Sequence, residues 1–316
     1  MTDYRPVLVV TCLDDPTADL VITELNRRRV AVARFDTADL PASLTVTATV
    51  GAGQEIQGTL STPTRTVTLS AVRSVYWRRP GGYRFDHLDA QDARFVEAEA
   101  RHGLTGTLTS LGCLYVNHPF RVRDADYKPA QLTVAVGVGF TVPATLITND
   151  PDEARRFAST NAPVVYKPLR GSAYQVVDVP RTIWVDEVAP ESLDEGIAGT
   201  MHLLQVKVDK HADIRVTVVG DRVFCVRINS KHLDWRYDYD THTYTAVDPP
   251  PGIEPALHAY LEHFGLTVGC FDFALATSGE WVFLECNPNG QWAWMETPTG
   301  LPMTAAFADL LERGHR

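Results

Sequence analysis

The chain has 316 residues, 45% hydrophobic and 22% charged, the profile of a globular protein long enough for two or three domains. Its 29 Lys+Arg stand against 39 Asp+Glu, a formal charge of −10, which excludes a general nucleic-acid binder needing a basic face to displace counterions. No apolar run approaches the roughly 18 residues that cross a bilayer. In chain order, Val7-Leu-Val-Val reads as a strand, Ala18 to Arg28 as a helix and Val30 to Asp36 as a second strand, together a βαβ unit. Residues 44–76 alternate Thr and Val between Gly and Pro, a β-rich stretch closed by Val75-Tyr-Trp-Arg-Arg-Pro. Asp89 to Leu111 reads as one long helix, and Asn117-His-Pro as a boundary. Asp126-Tyr-Lys-Pro opens the next helix, with Asp126 as its expected cap. Thr145-Leu-Ile-Thr is a strand, Asn149-Asp-Pro-Asp-Glu caps a helix, and Val164-Val-Tyr-Lys is a strand entering Pro168-Leu-Arg-Gly-Ser. From about 203 strands dominate (203–208, 214–219, 222–229, 270–276 and 281–286), with helices at 254–264 and 304–313. The expected fold class is therefore α/β and α+β: an N-terminal α/β domain at 1–118, a central lobe at 119–203 and a C-terminal antiparallel-sheet lobe at 204–316.

The five cysteines are scattered and include no C-x-x-C pair. With an opening Met1-Thr-Asp-Tyr-Arg-Pro unlike a signal peptide, they suggest a reduced, cytoplasmic protein with no membrane or nucleic-acid partner. Only five of the 29 basic residues are Lys, and none precedes Lys128. Where Arg serves for routine charge, a Lys is a candidate for work that needs a compact ammonium; codon bias, with Lys surviving by chance, is the competing reading.

Asp272 and Glu285 lie in apolar segments joined by Ser278-Gly-Glu, a pattern that predicts an antiparallel hairpin. Two buried, unpaired carboxylates repel. Asn287, two residues past Glu285, shares its face. Two carboxylates and an amide oxygen suit Mg²⁺, a hard cation that it shares with phosphates; pairing with Arg is the competing reading. Lys167 ends an apolar strand, where an ammonium is costly unless it meets an anion. Lys128 starts a helix, whose dipole also favours anions. Asp213 and Arg215 alternate with Ile214 and Val216 and so share a face, on which Arg215 is placed to stabilise a transferring phosphate. Arg236, in a loop, is a second such candidate.

The ordered set Lys128, Lys167, Gln205-x-x-x-x-Lys210-x-x-Asp213-Ile-Arg215, Asp272 and Glu285-x-Asn287 resembles the ATP-grasp superfamily. Val75-Tyr-Trp-Arg-Arg-Pro, Phe140-Thr-Val-Pro-Ala-Thr-Leu-Ile-Thr and Phe283-Leu-Glu-Cys-Asn-Pro-Asn-Gly-Gln-Trp resemble its ribosomal-peptide maturase branch, the graspetide or microviridin-type ligases. The resemblance implies a pre-ATP-grasp domain followed by two lobes that bind Mg-ATP. It implies that Lys128 and Lys167 hold the ATP phosphates and that Gln205, Val206, Lys207 and Val208 form the hinge against adenine. Asp213 would line the nucleotide site, with Lys210, Arg215 and Arg236 catalytic and Asp272, Glu285 and Asn287 holding Mg²⁺. The implied activity is macrocyclisation of a precursor peptide with leader and core. Asp or Glu side chains, activated as acyl phosphates, are joined to Thr or Ser as ω-esters or to Lys as ω-amides. A RimK-like or amino-acid ligase forming a peptide bond with a free amine is the alternative. A homodimer is also implied. Arg78 and Arg79 are candidates for the substrate carboxylate, a strand-end surface pair being the other reading. Asp186, Glu187 and Glu191 are candidates for a basic leader residue, against a plain solvated helix face. Two departures stand out: Val206 and Lys207 occupy hinge positions where an acid is expected, and the loop after Lys167 is poor in glycine.

Overall fold

The structure is a computed structural model and describes residues 4–51, 55–171, 174–176, 179–238 and 241–315. Strand β1 (Val7–Val10), helix α1 (Pro16–Arg27) and strand β2 (Val32–Phe35) form the expected βαβ unit. Asp15 accepts from the Ala18 N–H and Pro16 sits in the first turn, so α1 starts where its unpaired donors are met. Strands β3 (Thr45–Thr49), β4 (Gln57–Thr62) and β5 (Arg65–Thr68) make a small antiparallel sheet. β6 (Ser74–Trp77) then joins the first sheet. The expected long helix is α2 (Ala90–Ala100), a wide π turn at Arg101–Thr105 and the short α3 (Gly106–Thr109). After β7 (Leu114–Val116) the parallel sheet is complete, in the order β2-β1-β6-β7.

Helix α4 (Pro119–Ala125) was not expected, and it corrects the capping assignment. Asp126 closes α4, while α5 (Lys128–Gly137) starts from Tyr127 without a side-chain cap. β8 (Thr145–Thr148), α6 (Pro151–Asn161) and β9 (Val164–Lys167) follow, then a hairpin of β10 (Tyr174–Val176) and β11 (Val179–Arg181). Ser172, in the loop after Lys167, lies outside the described residues. β12 (Asp186–Val188) and β13 (His202–Val206) complete a central sheet in the order β12-β9-β13-β8. The C-terminal sheet, in the order β16-β15-β14-β17-β18, is antiparallel throughout. It contains β14 (Lys210–Val219), β15 (Arg222–Asn229), β16 (Thr243–Val247), β17 (Val268–Ala276) and β18 (Trp281–Asn287). Helix α7 (Ile253–Phe264) precedes β17, and α8 (Ala293–Thr299) and α9 (Met303–Arg313) end the chain.

Packing decides what is held rigidly near the site. One apolar core joins Val7 and Val9 of β1 and Val21 and Leu25 of α1 to Val226, Trp292, Phe307 and Leu310. Arg28 adds ion pairs to Asp309 and Glu312, and Ser74 Oγ donates to the Leu311 carbonyl at 2.8 Å. The parallel sheet is thus built onto the C-terminal sheet. The opposite face of that sheet buries Ile214, Val216, Phe271 and Phe283 under Ala135, Phe140, Tyr260 and Leu261. Helices α4 and α5, expected with the central lobe, accordingly contact α7 and β18. The central sheet has a smaller core of its own, built on Ala154, Ala158, Val164, Ile197 and Leu204. Among the described residues no helix is long and apolar enough to cross a membrane.

Candidate functional site

The predicted hairpin sets Asp272 directly opposite Glu285, while β14 sets Arg215 opposite Asp272 on its other side. One row of the sheet therefore carries carboxylate, carboxylate and guanidinium side by side. A bulge just after Asp272 shifts the register, so Phe273 pairs with Phe283 and the apolar face resumes beyond the charged row. Arg215 Nη1 donates to Asp272 Oδ2 at 2.6 Å. Both side chains are more than nine-tenths buried, so each is the other's main compensation for lost water. Burial pushes the Asp272 carboxyl up and Glu285 adds to the rise, while Arg215 and Arg236 oppose it. Glu285 is pulled down instead: burial would raise it, but Lys128 and Arg236 prevail. Lys128 Nζ donates to Glu285 Oε2, and Arg236 Nη1 donates to Oε1 at 3.1 Å.

Helix α5 places Lys128, and Gln131 one turn on locks that placement. Its amide nitrogen donates to the Ala125 and Cys286 carbonyls at 2.6 and 2.8 Å, and its oxygen accepts the Cys286 N–H at 3.0 Å. Asp234 places Arg236 with a two-point fork, Nε to Oδ1 and Nη2 to Oδ2, each 2.9 Å. Lys210 Nζ donates to Asp213 Oδ1 at 2.5 Å and to the Leu233 carbonyl at 2.8 Å. Burial lifts the Asp213 carboxyl to about 6, with Lys210 working against it. On the central sheet, Lys167 Nζ donates to Gln205 Oε1 at 2.6 Å, and Gln205 Nε2 donates to Thr145 Oγ1 at 2.8 Å. Burial, then the cations Lys128, Lys210 and Arg236, lower the Lys167 ammonium to about 8, although Glu285 pulls the other way.

A cavity of about 340 Å³ brings together Lys128, Lys167, Gln205, Lys207, Val208, Lys210, Asp213, Arg236, Asp272 and Glu285. Its apolar walls are Val165, Ile183, Trp184, Trp235, Ala274 and Leu284, a make-up suited to a flat base above a triphosphate. Val206 does not line it; its N–H donates to the Ala144 carbonyl. A second cleft, also about 340 Å³, is lined by Arg79, Asp126, Arg215, Asn287, Asn289, Gln291 and Trp294. Trp235 and Arg236 line both clefts.

Asp272 Oδ1 is buried without a hydrogen-bond partner, and Asn287 Nδ2 donates to Asp272 Oδ2 at 3.1 Å and to Glu285 Oε1 at 3.4 Å. The donor set, two carboxylates and an amide, fits a hard oxygen-seeking cation, provided the Asn287 amide turns its carbonyl inward. Among the described residues no group of three or more His, Cys, Asp and Glu is placed to hold a metal, so any cation here relies on Asn287 and on oxygens from a ligand.

Two substrate expectations change. Arg78 is only 4% exposed and fully engaged within the protein, so it is not a substrate contact; Arg79 is exposed in the second cleft. Asp186 and Glu187 are not on a helix but on β12, the edge of the central sheet, and Glu191 lies in the 3₁₀ turn Pro190–Ser192. All three are exposed, and Glu187 accepts from Lys207 Nζ at 2.6 Å. The sequence reading missed Gln131, Trp184, Asp234 and Trp235. The Asp234-Trp-Arg236 spacing carried a usable signal for the fork, and Gln131 stood one helical turn from Lys128 on an apolar face.

Residues 6–123 match the family model of the MvdD pre-ATP-grasp domain. Along almost its whole length the chain is similar to a RiPP-associated ATP-grasp ligase of Chryseobacterium gregarium, solved in complex with ADP and a leader and core peptide. The identity is 27%, the coverage 99% of both chains and the TM-score 0.90. It is also similar to the macrocyclase MdnC of Microcystis aeruginosa MRC, solved bound with precursor peptide MdnA, at 28% identity, 98% and 100% coverage and a TM-score of 0.87. For the macrocyclase MdnB of the same organism the identity is 28%, the coverage 98% and 100%, and the TM-score 0.81. No curated protein sequence matches. Residues 6–123 thus carry an MvdD-type pre-ATP-grasp domain, and the whole chain has the fold of the RiPP ATP-grasp ligases.

Proposed function

We propose that the chain is an ATP-dependent, ADP-forming ligase that macrocyclises a ribosomally made precursor peptide. The observation that carries this reading is the meeting of two clefts at Arg236 and Trp235. One cleft suits a nucleotide; the other is open, polar and cationic, and suits a peptide carboxylate. The purine rests against Val165, Trp184 and Leu284, with Gln205, Lys207 and Val208 as the hinge. Lys128 and Lys167 hold the phosphates, with Lys210 and Asp213 beside them. A substrate Asp or Glu carboxylate enters by the second cleft, guided by Arg79. Its oxygen attacks the γ-phosphorus, the bond to the β-phosphate oxygen breaks, and ADP leaves. Arg215 and Arg236 stabilise the charge of the transferring group and then of the acyl phosphate. A Thr or Ser hydroxyl, or a Lys amine, of the same peptide then attacks the acyl carbon and displaces phosphate. The product is an ω-ester or an ω-amide. Asp272, Glu285 and Asn287 would hold Mg²⁺, which when bound supplies charge neutralisation at the phosphates. Exposed Asp186, Glu187 and Glu191 receive basic leader residues. We further read the enzyme as cytoplasmic and homodimeric, the dimer testable by light scattering.

The test is incubation with ATP, Mg²⁺ and a candidate precursor peptide of leader and core, read by mass spectrometry. Loss of one water per ring is expected, and hydroxylamine cleavage then separates ester from amide links. Joining of a free amino acid with a gain in mass would select the RimK-like alternative. Unchanged precursor mass would reject macrocyclisation.

A further inference from the structure

Arg78 directly follows β6 of the parallel sheet, yet its guanidinium reaches the turn after β18. It donates to Asn289 Oδ1 and the Gly290 carbonyl, each at 3.3 Å, and to Gln291 Oε1 at 3.0 Å. Asn289 Nδ2 returns a bond to the Arg78 carbonyl. Asp15, 3.4 Å away, supplies the countercharge. On the other side of the same turn, the Gln291 carbonyl accepts from Arg215 Nη2 at 3.0 Å. Gly290 is pressed against that guanidinium: a Cβ there would lie 2.7 Å from Arg215 Nη2. The turn is therefore clamped between two buried arginines, one from the first sheet and one from the reaction site. A planar, multiply donating group is needed to hold three acceptors at once, which a Lys ammonium on a flexible stem does poorly.

We infer that Arg78 is a positioning residue that fixes the Arg215 guanidinium through the Asn289–Gln291 turn, so that the N-terminal domain sets the geometry of the reaction site. This rests on the role given to Arg215 above. A purely structural Arg78 would lower the amount of folded enzyme and leave turnover per folded molecule alone. A positioning Arg78 lowers turnover with little change in nucleotide binding, because Lys128, Lys167 and Gln205 do not touch the turn.

The experiment is a double-mutant cycle on precursor modification, with the folded fraction measured for each variant. Arg78→Lys is expected to lower kcat by about ten- to a hundredfold, as small misplacements of a reacting group do. The ATP KM should stay within about twofold, and in an Arg215→Lys background the same change should cost less than about twofold, because residues acting as one unit are not additive. Should Arg78→Lys not fold, Gln291→Ala runs the same cycle, since it removes a side chain Arg78 holds and keeps the carbonyl Arg215 uses. An unchanged kcat, or equal losses in both backgrounds, overturns the inference. Full activity of Arg215→Lys alone would instead overturn the role of Arg215, and this inference with it.

Discussion

The two sheets that face each other across the nucleotide-sized cavity are built differently. On the C-terminal sheet, Asp213, Arg215 and Asp272 are buried and tied by ion pairs of 2.5 and 2.6 Å, on central strands paired along both edges. On the central sheet, Lys167 and Lys207 are only half-buried, and each donates to one side-chain partner, Gln205 or Glu187. The first wall is preorganised: its charges are fixed before anything binds, which is where electrostatic stabilisation of a reacting group is most effective. The second rests on a small separate core and holds its ammonium groups with single bonds that a phosphate replaces without leaving a buried charge unpaired.

The largest expected effect breaks the rigid wall. Asp272→Asn leaves the Arg215 guanidinium buried opposite a neutral amide and removes a proposed cation ligand. ADP formation should fall by about a hundred- to a thousandfold, the usual cost of losing one preorganised electrostatic partner. Gln205→Ala, the matched change on the other wall, should cost only a few-fold and show in the ATP KM, because Lys167 keeps the place proposed for it beside the phosphates. Steady-state ADP release measured on both variants decides the matter. Equal losses in kcat would mean that the two walls are equally preorganised, against the comparison.

The rigid wall was the more legible one in sequence. Asp272, Glu285 and Asn287 stood in apolar, alternating segments, where period-two patterning fixes both the strand and the face. Lys167, at the end of an apolar strand, located the opposite wall. What sequence did not convey was pairing across distance. Nothing local distinguishes Arg78, buried against the 289–291 turn, from its exposed neighbour Arg79, because burial there is decided by a turn more than 200 positions away. The same holds for α4: a seven-residue helix between Pro119 and Ala125 is too short for periodicity to reveal, and Asp126 was assigned to the wrong helix as a result. The acidic spacing from Asp186 reads as a helix face, although Asp186, Glu187 and Val188 pair with β9 as an edge strand.

A middle-sized effect follows from the ammonium on the adjustable wall. Lys167 is held at about 8, first by burial and then by neighbouring cations, against an ordinary 10.5. The unfolded chain therefore binds more protons between those two values, so this group costs stability at neutral pH that is regained as pH rises through them. A bound triphosphate favours the charged form and moves Lys167 back up. Nucleotide binding should then take up a proton above pH 8, and affinity should fall by up to about tenfold per pH unit there. Calorimetry in buffers of different ionisation enthalpy measures the uptake directly. Lys167→Met should remove the uptake and flatten the profile, and an undiminished pH dependence in that variant would assign it to another group.

The smallest effect concerns the exposed pair at the rim of the same wall. Lys207 and Glu187 sit 2.6 Å apart with side chains 36% and 49% exposed, so their attraction is worth only about 0–1 kcal/mol and is screened by salt. Thermal midpoints of Glu187→Gln and Lys207→Met should move by no more than about 2 to 4 °C. The two variants nonetheless separate the roles proposed for the pair. If Glu187 receives a basic leader residue, Glu187→Gln raises the precursor KM a few-fold, and Lys207→Met, which frees the same carboxylate, lowers it. If Glu187 serves only to orient Lys207 at the hinge, both variants raise the ATP KM together and leave the precursor KM alone. Opposite signs in the precursor KM therefore assign the edge strand to the leader, and matching signs in the ATP KM assign it to the nucleotide.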